Sequence, residues 1–169
     1  MEDSYPIRQL LYFFELVNQA LEIKLDSMFL VPSFLNTIVN VVKSRNALAQ
    51  LTQMGENVLE HVKILRRVIT DLGGTVEQDL LPATRPQPKL LLSELSFQEE
   101  LAAQIIDQCQ DIVEHHWQHS QLTSWVMQQL STVQRETKLH GMLFEQIFAR
   151  TQPRYRDIVL ERFRVTALP

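Results

Sequence analysis

LTQMGENVLEHVKILRRVITDLGG, residues 51–74, carries the pattern on which the rest of the chain is arranged. Leu51, Met54, Val58, His61, Leu65, Val68 and Leu72 recur at steps of three and four. That period places them on one face of an α-helix. Gly73 and Gly74 follow directly, and glycine takes the left-handed conformation that closes a helix C-terminus. The stretch is therefore the second half of a long amphipathic helix, and one member of its apolar stripe is a histidine.

The composition points the same way. Four glycines in 169 residues are too few for the turns of a sandwich or a doubly wound sheet, which favours helices joined by few loops. The length suits one domain, and such a chain can bury a full core without disulfides. A net charge of −4 argues against non-specific nucleic-acid binding, which needs clustered positive charge. The single Cys109 cannot form an internal disulfide, and the acidic start MEDSYP does not resemble a secretory leader. No apolar run reaches membrane-spanning length. These features predict a cytoplasmic protein that engages neither membrane nor nucleic acid.

Working outward, the spacing of Ile7, Leu11, Phe14, Leu21, Leu25 and Met28 predicts a first helix over 6–30, ended by Pro32. The second helical region covers 34–72, with a break near 44 where Ser44 can cap a new start. Pro82, Pro86 and Pro88 exclude regular helix from the connection 73–92. Its core of eighteen residues, extended, reaches about 60 Å. A helix of 25 residues is about 38 Å long. The connection is thus long enough to cross a whole bundle and set the third helix parallel to the second. The third helix spans 93–117, with a capping-box spacing at Ser96 and Glu99. A short turn at 118–121 makes the fourth helix, 122–150, its antiparallel neighbour. Beyond Pro153, Tyr155, Ile158, Val159, Arg162 and Phe163 suit a short fifth helix over 154–164, in a tail rich in arginine.

The fourth helix repeats the feature of the second. Val126, Leu130, Val133, Thr137, His140, Phe144 and Ile147 form its stripe, again with one histidine. Each histidine alone suits a core position with local hydrogen-bond partners. Together, late in corresponding helices, they suit a metal site completed by carboxylates, since imidazole binds iron, zinc or manganese. On the first helix, Glu15 and Glu22 lie on one side near the stripe and are either a solvated flank or a source of one ligand.

Two helices, a long proline-containing connection, two more helices and a short fifth resemble the ferritin-like superfamily, of bacterioferritin and rubrerythrin type. The segments FFELVNQ, EHVKILRRVITDLGG, FQEELAAQIIDQCQDIVEHHW and VQRETKLHGMLFEQIF are similar to that family's four helices in turn. The resemblance implies an all-α, ferritin-like four-helix bundle with one long crossover. It also implies iron ligands, one Glu from each of two helices and Glu-x-x-His from each of the others. Glu15 matches the first glutamate, Glu99 the third-helix acid, and His61 and His140 the two histidines. The chain departs from the pattern at Val58 and Thr137, which stand three residues before each histidine in place of glutamate. Glu136, one turn before His140, is the nearest substitute. The implied metal set is therefore Glu15, His61, Glu99, Glu136 and His140, with iron the expected metal if one is held.

Elsewhere, His115, His116 and His119 gather near the end of the third helix, either as a polar helix end or as a surface metal pair. Cys109 fits a small buried hydrophobe better than a nucleophile. No glycine-rich phosphate loop, Ser/His/Asp arrangement or Cys-x-x-Cys pair is present. Three functions compete: a non-catalytic interaction or assembly protein with an incomplete di-metal site, an iron enzyme with an altered ligand set, and an unrelated helical adaptor. The apolar run Phe34 to Val42 would need cover, which predicts a homodimer or another protein partner.

Overall fold

A computed structural model describes residues 4–38, 45–77, 89–91, 94–150 and 159–161. Four helices make up almost all of it: α1 (Ser4–Ile38), α2 (Arg45–Asp71), α3 (Glu94–His116) and α4 (Gln121–Arg150). Two three-residue strands, β1 (Lys89–Leu91) and β2 (Val159–Glu161), pair antiparallel with Leu90 opposite Leu160. The all-α, four-helix expectation holds.

The contacts fix the helix directions. Gly74, just past α2, lies against Phe14 near the start of α1, so α1 and α2 are antiparallel. Lys24 meets Glu99 while the Phe13 ring packs tilted against Trp117, so α3 also runs against α1. The pairs Asn57–His140 and His61–Glu136 make α2 and α4 antiparallel. Gln134 bonds Ala103 while Gln110 bonds Ser131, which does the same for α3 and α4. With α2 and α3 both opposed to α1, the two run parallel to each other.

One core joins all four helices. It includes Phe13, Val17 and Leu21 of α1, Leu65 and Val68 of α2, Ile106 and Cys109 of α3, and Val126 and Leu130 of α4, all fully buried. Trp117 and Trp125 pack against it from either side of the α3–α4 turn.

Local signals account for the boundaries. Gly73 has φ of +84°, its N–H bonds the Thr70 carbonyl at 3.0 Å, and the Gly74 N–H bonds the Ile69 carbonyl at 2.8 Å. That is the Schellman closure, which satisfies carbonyls the helix leaves free. The chain beyond is tied to α1 by Asn18, whose side chain donates to the Thr75 carbonyl and accepts from the Glu77 N–H. At the start of α4, the Ser120 hydroxyl accepts from the Thr123 N–H while the Thr123 hydroxyl accepts from the Ser120 N–H. This reciprocal cap satisfies two helix-terminal donors.

Three boundaries differ from expectation. Pro32 does not end α1, which continues to Ile38, so residues 34–38 belong to α1 rather than to the second helical region. An internal proline costs about 3 kcal/mol, and a helix of 35 residues retains enough other turns to carry that cost. The break near 44 lies outside the described residues, and α2 begins at Arg45. Ser96 is inside α3, which starts at Glu94. In the tail, Val159–Glu161 is a strand rather than part of a fifth helix. Val159 is β-branched and favours extended backbone, and β1 offers a ladder that a lone helical turn lacks. The rest of 154–164, and 78–88 and 92 of the long connection, lie outside the described residues. Among the described residues, no helix is long and apolar enough to cross a membrane.

Candidate functional site

Each of the four helices contributes a polar side chain to one buried cluster. On α1 the buried residues include Val17, Ala20, Leu21, Lys24 and Ser27, so a lysine occupies an apolar stripe. Lys24 is fully buried, and its ammonium lies 2.8 Å from a carboxylate oxygen of Glu99, itself 1% exposed. The Ser27 hydroxyl donates to the other oxygen of Glu99 at 3.2 Å. His140 Nδ1 faces Glu99 at 3.5 Å, an electrostatic contact longer than a good hydrogen bond. The His140 and His61 rings stack with centroids 5.6 Å apart. His61 Nε2 lies 3.0 Å from a Glu136 oxygen, and Glu136 is partly exposed. Asn57 Nδ2 lies 3.2 Å from His140 Nε2.

The protonation states follow from these neighbours. Burial, then the charge of Lys24 and the nearness of His140, push His61 from 6.5 down to about 3 against the pull of Glu99. His61 is therefore neutral at pH 7. With its Nε2–H donating to Glu136, Nδ1 is the bare nitrogen, and it has no partner. Burial alone would raise Glu99, but the Lys24 ammonium and the adjacent His140 outweigh it and hold the carboxyl below the usual range. The cluster thus contains a lysine–glutamate ion pair beside a neutral imidazole.

Of the five residues in the implied metal set, the structure brings together His61, Glu99, Glu136 and His140. Glu15 is exposed, as is Glu22. Nine residues separate Glu15 from Lys24, which puts them about 13 Å apart along α1 and on opposite faces. The four gathered residues do not form a metal cage. Among the described residues, no three His, Cys, Asp or Glu side chains are arranged to hold an ion. Val58 and Thr137 point inward and are fully buried, so the positions where glutamates would stand hold a hydrocarbon and a hydroxyl already bonded to the Val133 carbonyl. Lys24 completes the mismatch, because its ammonium engages the carboxylate a metal would need.

Lys24, Ser27 and Asn57 are the cluster members that sequence reasoning passed over. Lys24 falls three residues after Leu21 and four before Met28, on the apolar stripe, and a lysine at such a position is the signal that marks it. Asn57 precedes His61 by one helical turn, a weaker signal because it also fits a solvated flank.

Two grooves flank α4 above this cluster. One, of about 320 Å³ between α3 and α4, reaches Glu99 and Thr137 and is lined by Glu100, Asp107, Lys138 and Glu145. The other, of about 330 Å³ between α2 and α4, reaches Asn57 and His140. At the far end of the bundle, His116 and Trp117 line a larger apolar recess of about 510 Å³ with Leu72 and Leu122. His115 pairs with Asp111 at 3.3 Å on the surface, and His116 and His119 are exposed. Cys109 is buried, and burial pushes its thiol up to about 12, so it is an unreactive core residue.

No protein-family model, curated protein or solved structure matches the chain.

Proposed function

We propose that this chain is a ferritin-like bundle whose interior is neutralised by Lys24 instead of a metal, and that it works as an interaction or assembly protein rather than as an enzyme. The observation that carries this reading is the buried Lys24–Glu99 pair at 2.8 Å. A di-metal centre needs several carboxylates to offset two cations, whereas here one carboxylate is matched by one ammonium. The parallel α2 and α3 support a long crossover through 73–92, since a chain leaving one end of α2 must return to the opposite end to begin α3. A cytoplasmic setting and a protein partner, including a second copy of the chain, belong to the same reading.

The test is elemental analysis of untagged protein after exposure to ferrous iron under air and desalting. The expected result is no stoichiometric metal, with a melting temperature unchanged by chelator. About two irons per chain, lost in His61→Ala, would overturn the proposal. The contacts of His61 and His140 with two carboxylates favour one alternative, a rebuilt single-metal enzyme site. It requires about one metal per chain, abolished by His61→Ala and by His140→Ala alike.

A further inference from the structure

The groove between α2 and α4 has an unusual lining. Among the described residues, no Lys, Arg, Asp or Glu lines this groove. Its polar groups are the carboxamides of Gln50, Gln53, Asn57 and Gln146, together with His140 at the floor. Leu139 and Met142, 58% and 56% exposed, stand over it. A volume of about 330 Å³ lies in the range of small-molecule pockets. A charged ligand would find no counter-charge in this lining. A neutral one with a flat apolar body would find Leu and Met side chains, and methionine adapts readily to flat faces.

The hydrogen bonds give the floor a direction. The Gln53 amide donates to Asn57 Oδ1 at 3.1 Å. Asn57 Nδ2 faces His140 Nε2, and His140 Nδ1 faces the Glu99 carboxylate. An amide nitrogen only donates, so in the pair Asn57 Nδ2–His140 Nε2 the ring nitrogen accepts. Asn57 is therefore held with a fixed orientation. Its Oδ1 and its second N–H form an edge that accepts at one point and donates at the other. Among the described residues, the exposed Gln53 side chain competes for it. The complementary partner is a cis-amide edge, a ring N–H beside a carbonyl, which a carboxamide meets with two parallel hydrogen bonds.

We propose that the α2–α4 groove is a binding site for a small neutral lactam or heterocycle, recognised through its cis-amide edge by Asn57, with His140 as a positioning residue. The site rests on the metal-free reading of the core, because a metal on His140 would take one ring nitrogen and leave the proton on the other; its test does not measure metal, so the two readings fail separately.

The probe is 2-pyridone, with N-methyl-2-pyridone as a control of similar size that lacks the donor. Binding is followed by NMR on the Asn57 side-chain amide and the Met142 methyl. The expected result is saturable binding in the millimolar range, as suits so small a molecule, about tenfold weaker for the N-methyl compound and in Asn57→Asp. Gln53→Ala, an exposed change that frees Asn57 Oδ1, is expected to bind at least as tightly as wild type. It keeps the test open if Asn57→Asp fails to fold. Absence of saturation, equal binding of both compounds, shifts confined to the Trp117 recess, or about a tenfold loss in Gln53→Ala would each overturn the proposal.

Discussion

Replacing Lys24 by Met leaves Glu99 buried without its cation. At 2.8 Å and an effective dielectric constant near 20, the pair attracts by about 6 kcal/mol. Removing both ions from water costs several kcal/mol each, so the intact pair contributes little net stability. Removing one partner forfeits the attraction and keeps the other's desolvation cost, which predicts a loss of about 3–5 kcal/mol at pH 7. Glu99→Gln should cost a similar amount by stranding the ammonium. The double variant Lys24→Met/Glu99→Gln retains an acceptor for Ser27 and should fall within about 2 kcal/mol of wild type. Urea unfolding of the four proteins closes the cycle. The pH dependence adds a second check. In wild type the folded-state pKa of Glu99 is depressed, so its contribution is present at neutral pH and is lost as pH falls below the ordinary carboxylate range. In Lys24→Met the stranded carboxyl protonates easily, so its deficit should shrink between pH 7 and 5. Additive single variants, or a Lys24→Met cost below about 1 kcal/mol, would refute the account of a coupled buried pair.

The remaining predictions concern the histidine, the glycines and the cysteine. His61 is neutral when folded, with its pKa lowered to about 3, whereas the unfolded chain takes up a proton near 6.5. Its share of stability is therefore complete above pH 6.5 and declines as pH falls, by about 1 kcal/mol per pH unit between 6 and 5. His61→Leu should remove that slope, and an unchanged slope in urea titrations would assign it to other groups. A Cβ at Gly74 would sit 2.7–2.8 Å from the Phe14 ring, while one at Gly141 meets nothing within 4 Å. Gly74→Ala should lower stability by about 1–3 kcal/mol, and Gly141→Ala should raise it by up to about 1 kcal/mol; thermal melts that reverse this order would contradict the packing. The buried thiol of Cys109 should react with a disulfide reagent only as fast as the protein unfolds, whereas complete labelling of native protein within minutes would show an accessible sulfur.

Much of this architecture was legible in the sequence because helices declare themselves locally. The three-and-four spacing from Leu51 to Leu72 marked the buried face of α2: Leu51, Met54, Val58, His61, Leu65 and Val68 are all buried. The Gly73–Gly74 pair marked its end, because only a residue free to take positive φ closes a helix in this way. Two histidines on two apolar stripes marked where the cluster would lie, since burying imidazole without a partner is costly wherever the stripe packs.

Pro32 shows the limit of local rules. A helix-breaking residue imposes a finite cost, and the length of the helix around it decides whether that cost is met. Val159 to Glu161 shows another, because a three-residue strand exists only through its partner at Lys89 to Leu91, some seventy residues away.

The cluster shows the limit most clearly. The spacing Leu21–Lys24–Met28 puts Lys24 on the inward stripe of α1, but nothing on α1 or α3 tells which cation meets Glu99. Helical period alone placed Glu99 and His140 on inward faces. The antiparallel setting of α1 against α3 brought Lys24, rather than Glu15, to the Glu99 carboxylate. Sequence periodicity thus determined which residues leave water. Which charges meet there depends on the relative level and rotation of separate helices, and these are set by packing across the whole core.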